Sequence, residues 1–224
     1  MVKFYGVLSY VWLNPDNIIL NNLKEGLIDG IIISSPGYQN NSTYRKWIRR
    51  NRKHIPSIMI DHEAWLRYKR GISMSYNAVK QYQMWASHNL KKLGFKDIIV
   101  IAPDVIGNEL ESYEWGSMFQ KEYEGNIMYP FHGKMPDDVE YVGIPKENLE
   151  TDWYEHLPNK NVKLHGLGVS PKNMPMIKEH GFISCDGTID SDGWSNNRIE
   201  DFMKSLNETK LRSTINKQTK RIND

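Results

Sequence analysis

At 224 residues the chain is long enough for one full-sized core, and a single domain is the natural reading. A hydrophobic share of 39% implies much polar surface, while 11% aromatic residues exclude an unstructured polymer. The formal charge of +2 names no partner, and the single cysteine excludes an intramolecular disulfide and a cysteine-based zinc site. No apolar run approaches the roughly 18 residues of a membrane span.

Taken in chain order, short β-like apolar runs alternate with polar stretches of helical period, the pattern of an α/β fold. The N-terminal MVKFYGVLSYVWLNP alternates like a first strand and has no small-residue cleavage site, so it reads as structure and not as a leader. Strands are expected at Lys3–Leu8, Gly30–Ser34, Ser57–Asp61, Asp97–Ala102, Asn126–Phe131, Glu140–Gly143, Lys163–Val169 and Phe182–Ser184. After the second strand, RKWIRRNRKH predicts a helix with Arg45, Arg49 and Arg52 along one side. Lys46, Arg50 and Lys53 stand beside them, and Trp47 and Ile48 face inward. Such a cluster on a balanced protein suits a polyanion partner; the plain alternative is a solvated helix face.

The clearest helix spans Ser75–Leu93, where Tyr76, Val79, Tyr82, Gln83, Ala86 and Leu90 recur at spacings of three and four. Ser73 or Ser75 caps it and Gly94 ends it. Gly133–Val139 is too short for a proper helix. The expected fold is therefore a single compact (β/α)8 TIM barrel with shortened helices over residues 1–205, followed by a basic C-terminal helix or tail over 206–224. An open doubly wound sheet would need a Gly-rich phosphate loop after the first strand, and VLSYVWLNP offers none.

In such barrels the chemistry sits where strands end. Asp61 closes the third strand, Asp104 follows the fourth, and Asp186, Asp190 and Asp192 follow the eighth. A carboxylate directly after a β-branched run is costly unless solvated or partnered, and several at one mouth can take separate acid, base and nucleophile roles. Each alone would serve as a helix cap or an Asx turn. Asp61, His62 and Glu63 are adjacent, point different ways and supply no metal-ligand set, so neither metal nor cofactor is expected. His165 reads as a satisfied barrel histidine and Cys185 as a small buried hydrophobe.

Four segments carry a resemblance. IMIDHEAWLRYKRG looks like a third-strand motif of the form L-D-S-G-A-F followed by Gly, and APDVIGN like a fourth-strand P-D-V-x-G. KLHGLGVSP is similar to a seventh-strand L-x-G-x-G-x-P, and TIDSDGWS to an eighth-strand F-D-S-x-x-Y or D-S-x-S-W. In that order, from about residue 57 to 195, the chain resembles the tRNA-guanine transglycosylase superfamily, especially its short phage branch that places 7-deazaguanines in DNA.

The resemblance implies that Asp190 attacks C1′ of the target nucleoside, with Asp186 as the competing nucleophile, and that Asp61 is the general acid/base. It further implies that Asp104 holds the purine edge, with Gly133 and Gly143 contributing backbone groups; Trp65 or Tyr10 would stack on the base. DNA is the implied macromolecule, gripped by Arg45, Arg49, Arg50, Arg52 and Lys53, with a free 7-deazaguanine as second substrate. The implied compartment is the cytoplasm, the host's if the chain is viral.

The departures are informative. His62-Glu63 replaces the usual Ser-Gly, which makes the pocket wall bulkier and more charged. The Cys-x-Cys-x-x-Cys…His zinc site of the tRNA enzymes is missing, which favours DNA over tRNA. Three other readings stand beside this one: a tRNA substrate, a hydrolase in which water finishes the reaction, and a barrel that only binds nucleic acid.

Overall fold

The runs GIIIS, SIMID and DIIVI are apolar on both faces, as strands must be when a parallel sheet is covered on both sides. In the computed structural model of the chain, which describes residues 2–8, 18–157, 161–187 and 201, these runs are three of eight parallel strands. The strands are β1 (Lys3–Val7), β2 (Gly30–Ser34), β3 (Ser57–Asp61), β4 (Asp97–Ile101), β5 (Asn126–Pro130), β6 (Tyr141–Pro145), β7 (Lys163–Leu167) and β8 (Ser184–Gly187). Each pairs with its sequence neighbour, and β8 closes on β1 with Lys3 opposite Ser184 and Tyr5 opposite Asp186, giving a closed (β/α)8 barrel.

Alternation along the strands divides the core in two. Tyr5, Ile32, Met59, Ile99, Ile101, Met128 and Tyr141 fill the barrel interior. Phe4, Ile31, Ile33, Ile58, Ile60, Val100 and Val142 face out against the helices. Gly30 makes room for the Tyr5 ring: a Cβ there would lie 2.6 Å from Tyr5 Cε1 and 2.5 Å from the Ser57 carbonyl.

The helices are α1 (Ile18–Lys24), α2 (Ser35–Asn40), α3 (Ser42–Asn51), α4 (Ala64–Lys69), α5 (Tyr76–Leu93), α6 (Glu109–Glu122) and α7 (Met174–Glu179). Only α3, α5 and α6 exceed seven residues among those described, in keeping with the shortened helices that the sequence predicts. The Ser75 hydroxyl caps α5 by accepting from the Ala78 N–H, and Gly94 leaves it at φ +68°. No helix intervenes between β5 and β6.

The largest difference from expectation is at β8. The Phe182 N–H reaches back to the Ile177 carbonyl across Gly181, whose φ is +70°, so Phe182 completes the C-terminal turn of α7. The strand therefore begins at Ser184, two residues later than expected, and Asp186 lies inside it, not in the loop beyond. Tyr10, Asp190, Asp192 and the tail 206–224 lie outside the described residues. Among the described residues, no helix is long and apolar enough to cross a membrane.

Candidate active site

The mouth at the C-terminal ends of the strands opens into a cavity of about 1210 Å³. Its floor is Val7, Ile32, Ile101 and Leu167; Asp61, Asp104 and Asp186 line it from the strand ends, and Glu147 and Asp152 from the segment after β6. Ligand pockets commonly enclose roughly 300–1,000 Å³, so this one has room for more than a free base.

Asp61 ends β3. One of its oxygens accepts from the Glu63 N–H at 3.0 Å, a local turn that brings the strand to a stop. Glu63 has φ 68°, the sole positive value outside glycine among the described residues, and its carboxylate accepts a hydrogen bond from the Ser34 hydroxyl. Burial pushes the Asp61 carboxyl up to about 6; the charges of Asp104 and Glu63 add to this, and His62 opposes it.

Asp104 has the opposite fate. It is buried, yet its Oδ1 lies 2.9 Å from His62 Nε2 and its Oδ2 2.7 Å from His132 Nε2. Burial alone would raise this carboxyl, but the two imidazoles outweigh it and hold the group down at about 2. The Asp104 bond and charge in turn raise the His62 imidazole against the effect of its own burial. The His62 ring packs against Tyr82 of α5, whose hydroxyl lies 2.9 and 3.0 Å from the carbonyl oxygens of Ile60 and Ile101. A helix residue thus ties the ends of β3 and β4 together beneath the two carboxylates.

Asp186 is the head of a hydrogen-bonded column inside the barrel. Its Oδ1 lies 2.9 Å from His165 Nε2, and both its oxygens lie 3.2 Å from the Gly168 N–H. His165 Nδ1 lies 2.8 Å from the Ser184 hydroxyl, which also meets the Tyr141 hydroxyl. With His165 neutral and its proton on Nε2, the column is satisfied in one direction. Tyr141 donates to Ser184, Ser184 to His165, and His165 to Asp186. The histidine is wholly buried and doubly partnered, the satisfied barrel histidine that the sequence predicts.

The other expected residues divide. Gly133 lines the cavity at φ +106°, where a Cβ would lie 2.9 Å from Glu109 Cδ. Trp65 also lines it, 51% exposed, stacked on Tyr68 with the Lys69 ammonium over its ring. Gly143 does not line it. It sits in β6 one inward position below Pro145, a Cβ there would meet Leu167 Cδ1 at 2.7 Å, and its carbonyl already accepts from the Phe131 N–H.

The basic cluster lies away from the mouth. Helix α3 runs from the mouth end of β2 to the start of β3, so the cluster extends down the barrel's flank and not around the mouth. Arg45 gives its guanidinium to the carbonyls of Tyr38 and Gln39, and Arg52 packs against Gly94 at the opposite end. Arg52 and Lys53 belong to a 3₁₀ turn beyond α3. Trp47 and Ile48 are buried, while Arg49 and Arg50 are exposed.

Sequence reasoning missed the two histidines on Asp104. His132 follows β5 by two residues in FHGK, and its strand-end position was the available signal. Among the described residues, no three of His, Cys, Asp and Glu converge as a metal-ligand set.

No protein-family model and no curated protein sequence matches the chain. Among solved structures it is similar to a cube-shaped, highly porous protein cage designed by fusing symmetric oligomeric domains. That likeness has 12% identity and a TM-score of 0.53, over 98% of this chain and 77% of that one. It is also similar to native KDPGal, at 11% identity and a TM-score of 0.51, over 92% and 95% of the two chains. At such identities the likeness is one of fold, and it agrees with the closed barrel.

Proposed function

We propose that the protein is a base-exchange glycosyltransferase that replaces guanine in DNA with a 7-deazaguanine through a covalent aspartyl–deoxyribosyl intermediate. The observation that carries this reading is the pair of carboxylates in one cavity with opposite proton affinities, Asp61 raised to about 6 and Asp104 held at about 2. Such a pair separates an acid/base from a permanently charged acceptor.

In the proposed reaction a carboxylate oxygen bonds to C1′ as the C1′–N9 bond breaks, and the departing guanine takes the Asp61 proton. The incoming base then loses its N9 proton to Asp61 and attacks C1′, releasing the carboxylate. Asp104, charged throughout, accepts from the purine N1–H and exocyclic amine with the lone pairs that its histidines leave free. Trp65 offers a face for stacking, and the exposed Arg49 and Arg50 would meet phosphates along the flank.

The resemblance assigns the nucleophile to Asp190. Asp186 is the second candidate because it lines the cavity and is fixed by His165 and the Gly168 N–H. Denaturing electrophoresis of the protein with a guanine-containing duplex separates the two. Asp190→Asn should abolish the protein–DNA adduct while Asp186→Asn retains it. Loss in Asp186→Asn alone would move the role to Asp186, and persistence in both would overturn the covalent reading. A tRNA incubated in parallel should give no adduct, and an abasic product instead of exchange would mark a hydrolase.

A further inference from the structure

Between Glu63 and Asp97 the chain has no acidic residue, and three of its basic ones, Arg67, Lys69 and Arg70, crowd α4 and its C-terminal cap. None of the three is in a salt bridge among the described residues. The helix is also poorly buried. A barrel helix ordinarily hides an apolar stripe against the strands, yet in α4 only Ala64 is buried. Trp65 is 51% exposed, Tyr68 54%, and Ile72, just past the helix, 49%. Core packing does not account for these side chains, and apolar groups gathered in solvent at a cavity rim mark a contact surface.

Their arrangement is specific. The Trp65 and Tyr68 rings stack with 5.8 Å between centroids and 26° between planes, and Lys69 Nζ lies 4.7 Å from the Trp65 centroid. All three residues line the mouth that holds Asp61 and Asp104. Tyr68 also lines a second cavity, of about 280 Å³, together with Ile72, Met74 and Ile106. One aromatic residue is thus shared by the mouth and by a smaller site walled chiefly with apolar side chains.

A ligand suited to this surface presents flat apolar faces and negative charge together. Single-stranded nucleic acid does so at every step, with base faces for the rings and phosphates for the cations. A duplex offers the charge but keeps its base faces inside the stack.

We propose that α4 and the turn after it form a platform for single-stranded DNA. Bases beside the nucleotide in the mouth stack on Trp65 and Tyr68, and Lys69 and Arg70, both exposed, meet the phosphates. The smaller cavity takes one of those neighbouring bases. The platform rests on the reading of the chain as acting on DNA, and it adds a path for the strand out of the mouth. Stacking on the rings replaces part of the stacking that a nucleotide loses on leaving the duplex.

The test is fluorescence anisotropy of a 5′-labelled eight-residue oligothymidylate, titrated with the full chain at several salt concentrations. This oligomer contains no guanine, so its binding is read without any exchange. The wild-type protein should bind it saturably, and should bind an abasic octamer of the same charge about tenfold more weakly or worse. Trp65→Ala/Tyr68→Ala should weaken the oligothymidylate by a similar factor and leave the abasic octamer unchanged. Trp65→Phe/Tyr68→Phe keeps the rings and should stay close to wild type. Lys69→Gln/Arg70→Gln should flatten the log–log salt slope by about 0.7 per lost contact. Three results would each overturn the platform: no saturable binding by the wild-type protein, equal binding of the two octamers, or an alanine variant that loses both octamers alike. An unchanged salt slope would overturn the role of Lys69 and Arg70. Comparing the two octamers needs no variant, so the test holds even if the alanine variant fails to fold. Failure here while label still enters duplex DNA removes the platform alone; a bound octamer without exchange removes the base-exchange reading alone.

Discussion

Asp61 and Asp104 line one cavity, and the difference between them is a matter of partners. Burial disfavours charge on both, but only Asp104 has two imidazoles to offset it. The linkage to stability therefore has opposite signs. Asp61 titrates near 3.8 when unfolded and near 6 when folded, so the native state holds the extra proton and stability falls as pH rises through that window. Above it the deficit is complete, about 3 kcal/mol at most. Asp61→Asn should thus raise the Tm at pH 7.5 and leave it unchanged at pH 4, while exchange by the wild-type protein should show a limb with an apparent pKa near 6. An unchanged Tm at both pH values would contradict the burial argument. For Asp104 the stabilisation is present above about pH 4 and is lost only as pH falls towards 2. Asp104→Asn leaves His62 and His132 facing a group that is half donor. We expect a loss of about 3 kcal/mol in urea denaturation at pH 7, before any effect on base selection. A loss under 1 kcal/mol would mean that the histidines do not depend on that carboxylate.

At the scale of elements, β7 and β8 work as a unit because one column of hydrogen bonds joins them through the barrel interior. His165→Leu fills the same space but takes one hydrogen-bond partner each from the Ser184 hydroxyl and the Asp186 carboxylate. It should cost more than about 2 kcal/mol in chemical denaturation, and a cost within 0.5 would show that water replaces the ring. Much at this scale was legible in the sequence. The limits of β2 and β3 follow from isoleucine-rich runs bounded by Gly30 and Asp61, and α5 follows from its apolar spacing. The start of β8 was not legible, because Phe182 is apolar in either setting and only the backbone shows that it closes the turn of α7. That shift conceals Asp186, which reads as a loop residue until the strand is placed. The His62–Asp104–His132 cluster was hidden for a different reason. Its members come from three strand ends 42 and 28 residues apart, and only barrel closure brings them together. For α3 the inward face was legible from Trp47 and Ile48, but its descent from mouth to base was not. Periodicity fixes a face and carries no information on which end of a barrel a residue reaches.

For the whole molecule, the closed barrel gathers the ends of eight strands around one large mouth and keeps Tyr5, Met59 and Met128 packed beneath it. This construction lets carboxylates from distant parts of the chain share a site above an apolar floor. A base inside a duplex cannot reach such a mouth, so the account requires the nucleotide to leave the stack, at a cost of a few kcal/mol that phosphate contacts would offset. The central claim, that the mouth exchanges a base, is tested most directly by incubating the protein with guanine-containing duplex DNA and radiolabelled guanine, and counting label in the purified duplex. The account predicts label incorporated by the wild-type protein, displaced by a 7-deazaguanine and absent with Asp61→Asn. An unlabelled duplex under conditions where the wild-type protein binds that DNA would contradict it.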